Sequence, residues 1–454
     1  MSNKKIYIFS FFLFLTCPLF AEGGYKIEIS TVSVINQNNI LNVSLEQYQE
    51  TVLRNNSELC KAKAEAEYAR QESKAAFTKY FPKISASAAI ANTDILPGFN
   101  EPVSILPVTS QSNGGSVVML SATQPLFTGG RIINGNKLAN SASKAADYKL
   151  QIKRNEIYSE AEKKYRRFQL LEGKMNTLIS YEKMLDALYS QVSQAFEMGI
   201  SSKSDFLRVK LKKEELSVQK QQLGKIIEIA AKDLKLYAEI DENTDIKIDK
   251  KFPSIEEPVY SRSDFQSYLK LRPEYKLLEI GVKVSKLQRN IEAGSYLPTI
   301  AVGASLFRTD YFSNNYFDKS AMHYQDSMAF AMVSMPLSDW WQGSHTIKGL
   351  NAKYNAAKEE FDSKSKYLLL DMENKLTYLE TAYKQVRVAE IGFELAKTNR
   401  LEYEDGYKNG TEKLSDYLES MALEQEKQNK LDEAKADYFE AKTAFLISTA
   451  KLEY

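Results

Sequence analysis

The twelve residues FEMGISSKSDFL at 196–207 return 211 positions later as YKNGTEKLSDYL at 407–418. Phe196, Gly199, Ser204 and Asp205 are answered by Tyr407, Gly410, Ser415 and Asp416. Two further pairs keep the same order: YFPKISASAAIA at 80–91 with YLPTIAVGASLF at 296–307, and QPLFTGG at 124–130 with MPLSDWWQG at 335–343. A chain that writes one series of elements twice is expected to fold as two copies of one supersecondary plan. The first pair lies 216 residues apart and the others 211, so the difference of five falls between the two apolar segments, where a surface loop absorbs it.

Each copy opens as a helix. Ser44-Leu45-Glu46-Gln47 has the form of a capping box. The Ala/Glu/Lys-rich stretch behind it predicts a helix to about Tyr80, and the second copy runs from near Ser263 to Tyr296, with Arg272-Pro273-Glu274 standing where the first has Asn56-Ser57-Glu58. Pro82 and Pro298 end these helices, since proline lacks an amide and disfavours helix in the residue before it.

Beyond each proline the period changes to two. Ile84, Ala86, Ala88 and Ile90 alternate with Lys83, Ser85, Ser87 and Ala89, and Ile300, Val302, Ala304 and Leu306 alternate with Thr299, Ala301, Gly303 and Ser305. The returning strands are 117–124 and 328–335, in the latter of which Met328, Phe330 and Met332 alternate with Ala329, Ala331 and Val333. These strands, about ten residues each, approach the roughly 9–11 residues of a tilted membrane strand. One face reads as bulky and apolar and the other as small or weakly polar, which suits lipid outside and a lumen inside. Trp340 and Trp341 follow the last strand, as in a membrane-interface belt. The loops between strand partners carry Pro97-Gly98 in the first copy and Tyr311, Phe312, Tyr316 and Phe317 in the second.

A proline-free run from about Ile132 to Met198 follows, in which Ala161, Tyr165, Phe168, Leu171, Met175, Leu178, Leu185, Leu188, Val192 and Ala195 keep a three-or-four spacing. At 1.5 Å per residue this helix spans roughly 100 Å. The turn at Gly199 sends a partner helix, Ser204 to Tyr237, back along it.

Residues 1–21 read as an export signal: Lys4 and Lys5, an apolar run, then Ala21 before Glu-Gly-Gly, with acylation of Cys17 the competing reading. Cleavage removes two lysines and no acid, so the net charge of +1 becomes −1. That balance gives no reason to expect nucleic acid as a partner, and Lys163-Lys164 with Arg166-Arg167 read as the solvated face of a helix. Cys60 would then be the only cysteine, so no disulfide framework is expected. No later stretch has the length and apolarity of a membrane-spanning helix. The expected domains are 22–262 for the first copy and 263–454 for the second.

Four strands cannot close on themselves, because a small barrel needs about eight. Open edges in hydrocarbon would cost several kcal/mol per unpaired backbone group, so copies must share a barrel. Three copies give the smallest symmetric solution with room for a passage. Two repeats of helix, Tyr-x-Pro, strand pair, x-Pro-Leu, long helix, aromatic-x-x-Gly and Ser-Asp resemble the TolC family of outer-membrane efflux proteins from Ser44 to Tyr454. The fold class expected from both arguments is mainly α with membrane β. Long antiparallel helical hairpins would form an α-barrel tunnel, and four strands per chain would join a shared 12-stranded trimeric β-barrel.

The resemblance implies an exit duct in the cell outer membrane with its tunnel in the periplasm, serving tripartite efflux or type I secretion. It also implies a homotrimer, contact with outer-membrane lipid, and docking on a periplasmic adaptor and an inner-membrane transporter. By the same resemblance Asp416 and Glu419 form a constriction ring at the tunnel tip, Tyr407 and Asp205 a latch, and Gly199, Ser204, Gly410 and Ser415 the adaptor-docking tips. The family's arginine two residues past the second turn glycine is Glu412 here, which leaves open whether the latch uses salt bridges. From the residues alone, Asp205 and Asp416 could simply cap their helices. His323 and His345 have no metal-ligand spacing, and neither a nucleophile elbow nor a phosphate loop appears, so no enzyme, cofactor or metal is expected. The alternative is a periplasmic coiled-coil structural or adaptor protein without a pore.

Overall fold

The computed structural model describes residues 40–92, 114–249, 252–312 and 322–452; the export signal with Cys17, and the loop residues Pro97, Gly98, Tyr316 and Phe317, lie outside them. Strand β1 (Ile40–Val43) leads into α1 (Leu45–Asn55), α2 (Ser57–Thr78), β2 (Lys83–Asn92) and β3 (Gly114–Thr128). The first long hairpin is α3 (Arg131–Glu197) with α4 (Lys203–Tyr237), and β4 (Asp245–Ile248) follows. Then come α5 (Phe265–Leu269), α6 (Pro273–Ser295), β5 (Thr299–Phe312), β6 (Met322–Ser334), α7 (Trp340–Lys408) and α8 (Leu414–Ser448).

The helices start and stop for local reasons. Ser44 Oγ accepts from the Gln47 amide at 3.3 Å and Gln47 Oε1 from the Ser44 amide at 3.1 Å, completing the expected capping box. The single helix expected to Tyr80 is broken at Asn56, whose side-chain oxygen caps α2 through the Leu59 amide while its amide group donates to the Tyr237 carbonyl. A tertiary bond thus stabilises the break. The second expected helix divides likewise, because Pro273 at the first position of α6 holds Arg272 extended. Arg272 is buried and donates to Asp371 on α7 at 2.9 Å.

The sheet order is β2-β3-β5-β6, antiparallel throughout. Three of the strands exceed the expected ten residues, at 15, 14 and 13. β3 gains length by continuing through a bulge between Pro125 and Phe127, the setting in which a strand tolerates proline. Among the described residues the outer edges of β2 and β6 have no strand partner.

Register corrects the face assignment. Ile84, Leu120, Val302 and Leu306 share one face, but the β6 residues on that face are Ala329, Ala331 and Val333. Met328, Phe330 and Met332 lie on the other, opposite Ser305, Gly303 and Ala301. The small β5 residues receive the large β6 ones; a Cβ on Gly303 would run into the Phe330 ring. Alternation within each strand is right, while the phase between strands is set by pairing.

Helix contacts run α2-α3-α6-α7 below the sheet and α4-α3-α8-α7 further down, so the layer prolongs the strand order. The expected seam is mostly buried: Ala161, Tyr165, Phe168, Leu178, Leu185, Leu188 and Val192. Its upper part packs with Tyr48, Val52 and Leu234 beside a parallel β1-β4 pair that the sequence reading did not foresee. Arg166 is not on a solvated face. It is 6% exposed, its guanidinium lies 4.4 Å from the Phe439 ring centroid, and it neighbours buried Glu162 at 3.5 Å. Helical spacing turns 162, 166 and 169 together toward α8 and the segment after β4.

Where sheet meets helices, the backbones of Gly129 and Gly294 touch. A Cβ on either would strike the other's carbonyl oxygen, and Gly129 has φ +63°, so neither position accepts a side chain. We expect Gly294→Ala to destabilise the protein by about 1–3 kcal/mol. Gly281→Ala, in open space on the same helix, should instead stabilise it by about 0.5–1 kcal/mol. Thermal unfolding of the two variants in detergent checks the opposite signs.

Candidate functional site: the paired hairpin tips

Both long hairpins close on a left-handed glycine, Gly199 at φ +75° and Gly410 at φ +74°, a conformation that only glycine adopts at low cost. The Gly199 amide donates to the Phe196 carbonyl at 3.0 Å, and the Gly410 amide to Tyr407 at 3.1 Å. The five residues 198–202, or 409–413, thus reverse a helix of 67 or 69 residues. A ring pair then joins the two limbs of each hairpin. Phe196 stacks on Phe206 with centroids 5.2 Å apart, and Tyr407 on Tyr417 at 5.8 Å. Phe206 and Tyr417 were not singled out from sequence; an aromatic ten residues past each turn aromatic was the available signal.

The helix starts after the turns differ. α4 is capped by Ser202, whose hydroxyl oxygen accepts from the Asp205 amide at 3.0 Å and whose hydroxyl donates to the Asp205 carboxylate at 2.7 Å. Asp205 and exposed Ser204 therefore occupy the first turn rather than the cap. α8 begins at Leu414 behind Lys413, which makes no side-chain cap bond; Asp416 sits in its first turn, where the helix dipole favours a negative charge, and accepts from the Ser415 hydroxyl at 2.8 Å. So neither aspartate is itself a cap. Asp416 is half-buried and Glu419 exposed, and neither joins an ion pair among the described residues.

Tyr407 lies near enough to Asp205 to feel its charge: burial raises the phenol's pKa first, and the Asp205 carboxylate adds to it. Both tips merge in one apolar cluster in which Leu188 and Val192 of α3, Val209 of α4, and Leu414, Tyr417 and Met421 of α8 meet. Glu412 is exposed and lies against Gly406. The charged tie at this end comes instead from Arg400, whose Nε donates to Glu424 at 2.8 Å and whose other arm reaches Glu404, itself bonded by Lys408 Nζ at 2.6 Å. Burial pushes Tyr417 up to about 12, with the Glu404 charge contributing. Among the described residues no group of His, Cys, Asp or Glu is arranged to hold a metal.

At the opposite end, Trp340 and Trp341 begin α7 immediately below β6, and Trp341 is 84% exposed. It belongs to a wider set of exposed apolar side chains at the sheet-helix junction, including Phe77, Phe81, Leu126 and Leu337. Phe77 packs edge-on to both Tyr80 and Phe81. Only the tryptophans had been read from the sequence, although FTKYF immediately before Pro82 carried the same signal. No described helix is long and apolar enough to cross a membrane.

A four-stranded sheet whose outer edges have no strand partner among the described residues is prolonged by a single layer of helices about 100 Å long. It is the fold of TolC-like outer-membrane efflux channels, and residues 49–225 match the family described as outer membrane efflux protein. The outer membrane protein VceC from Vibrio cholerae superposes with a TM-score of 0.73 at 14% identity over 89% of this chain and 95% of its own. The Campylobacter jejuni CmeC outer membrane channel gives 0.73 at 16% identity over 90% and 85%. The open state of the Neisseria gonorrhoeae MtrE outer membrane channel gives 0.72 at 16% over 89% and 88%. No curated protein matches the chain by sequence.

The Arg400 tie makes a testable statement. The Lys408 hydrogen bond, helped by the Lys408 and Arg400 charges and opposed by burial, holds Glu404 below its ordinary 4.5. A depressed carboxyl stabilises the fold above its unfolded value and loses that contribution as pH falls through the folded one. Arg400→Met should therefore destabilise the second hairpin by about 1–3 kcal/mol at pH 7. The difference from wild type should shrink below pH 4.5, read by hydrogen exchange across 400–424.

Proposed function

We propose that this chain is one subunit of an outer-membrane channel-tunnel, a passive exit duct of a tripartite efflux or type I secretion system. The observation that carries the reading is that its two edges are unfinished in the same way at every level. Among the described residues the β2 and β6 edges lack partners in the sheet. Below, α4 exposes Leu211, Val218, Ile229 and Leu236, and α7 exposes Tyr378, Val388, Ile391 and Leu395. Apolar stripes of this extent on both outer helices call for a partner. When β6 of one copy pairs with β2 of the next, α7 of the first comes beside the α2 and α4 limb of the second. Strands and helices are then completed by one rotation, and closure after three copies gives twelve strands and a continuous α-helical tunnel.

In that assembly the exposed aromatics at the sheet-helix junction, Trp341 among them, lie together with residue Trp340 at the inner face of the outer membrane, and the helices cross the periplasm. The two halves are structural repeats, each contributing one strand pair and one long hairpin. The tips with Gly199, Ser204, Gly410 and Ser415 dock a periplasmic adaptor that is itself bound to an inner-membrane transporter. Asp416 and Glu419 form the gate ring: both carboxylates lack an ion-pair partner among the described residues and stand three residues apart on α8. Tyr407 and Asp205 act as the latch, while the Arg400 tie supplies the salt bridges that Glu412 cannot.

Two measurements test this. The native mass of the detergent-solubilised mature protein should correspond to three chains; a water-soluble monomer overturns the proposal and returns the coiled-coil reading. In planar bilayers, Asp416→Asn with Glu419→Gln should raise single-channel conductance and lower cation preference. Unchanged conductance and selectivity would reject the ring while leaving the channel standing.

A further inference from the structure

Between α3, α6 and α7 the helical layer leaves a groove of about 690 Å³, within the size range of small-molecule sites. Helical spacing builds it from three faces. Lys276, Ile280 and Lys283 follow one another at four and three residues on α6, with Lys286 one turn on. Tyr354, Lys358 and Phe361 repeat that spacing on α7, and Lys144 and Tyr148 are one turn apart on α3.

The groove therefore joins an apolar floor to a positive rim. Tyr148, Ile280 and Phe361 supply the floor, and Tyr275 packs on Phe361 at 5.2 Å, fixing that ring. The rim holds five lysines against two carboxylates, Glu279 and Asp362, in a chain whose whole formal charge is only +1. Lys276 reaches Glu279 at 3.5 Å, and Lys358 lies 4.6 Å from the Tyr354 centroid. Lys144, Lys283 and Lys286 enter no ion pair among the described residues. Ammonium groups gathered in excess of their counter-charges repel one another, and an anion among them relieves that repulsion.

We propose that this groove binds a soluble aromatic organic anion. The unpaired lysines meet the acidic group, and Tyr148 and Phe361 receive the ring system. A lipid headgroup fits poorly, because Lys283 lies twelve residues before the end of α6, about 18 Å from the sheet at 1.5 Å per residue. A hydrophobic cation would meet the lysine rim unfavourably.

The test is equilibrium binding of naphthalene-2-sulfonate to the full mature protein in nanodiscs, by isothermal titration. It does not require that the protein conduct. The expected result is one saturable site per chain, with 2-naphthylmethylammonium, the same ring bearing the opposite charge, at least about tenfold weaker. Lys283→Glu with Lys286→Glu should weaken the sulfonate by about tenfold or more, and Lys283→Arg with Lys286→Arg should retain it. Both lysines are exposed, so the variants should fold, as circular dichroism would verify. No saturable sulfonate binding, equal binding of the cation, or undiminished affinity in the glutamate pair overturns the proposal.

Discussion

The backbone amide at a strand edge governs this molecule. A donor or acceptor left unpaired in hydrocarbon costs several kcal/mol, and each strand edge presents a row of them. The chain has two such edges, β2 and β6, and no described element covers either. The rest of the architecture is consistent with that debt being met from outside the chain. The helices run in the same order as the strands, the outermost helices keep apolar side chains in water, and the apolar core is divided into three separate clusters along the length. A molecule built around one central core would have covered its edges itself.

Separate clusters need mechanical connections, and these are local and specific. The Gly129-Gly294 contact presses the start of α3 against the end of α6 just beneath the sheet, where only bare backbone fits. Arg272 ties the start of α6 to α7 through Asp371. Arg166 and Glu162 join α3 to α8, with Thr443 donating to Glu162. Buried charges of this kind add little net stability, since desolvation offsets their attraction, but they penalise any sliding that would separate them. The helical layer thus has fixed registers at the top and middle.

Much of this was legible because it is local. The Ser44-Gln47 box, the ends of α3 and α4 to within a residue, the starts of β2 and β5 and both turn glycines follow from capping, period and backbone preference. What escaped was tertiary in origin. The break at Asn56 depends on the Tyr237 carbonyl, 181 residues away. The phase of β6 depends on which β5 residue it faces, and alternation is blind to a shift by one. The parallel β1-β4 pair joins two four-residue segments too short to have a period. At the site, the turn residues were readable from their repetition. The ring pairs and the Arg400–Glu424 tie were not, because each needs the two limbs of a hairpin to be laid side by side; the Ser202 cap is local, a Ser-x-x-Asp spacing that the sequence carries.

The two tips are held by different kinds of force. Both carry a stacked ring pair, but the first adds a serine cap bonded to Asp205, and the second an uncapped helix start with a chain of charges from Lys408 through Glu404 and Arg400 to Glu424. Dissolved ions screen the exposed Lys408 end of that chain, reach its more buried Arg400–Glu424 end less, and scarcely touch the stacked rings. Salt therefore bears unequally on two turns that share one backbone plan.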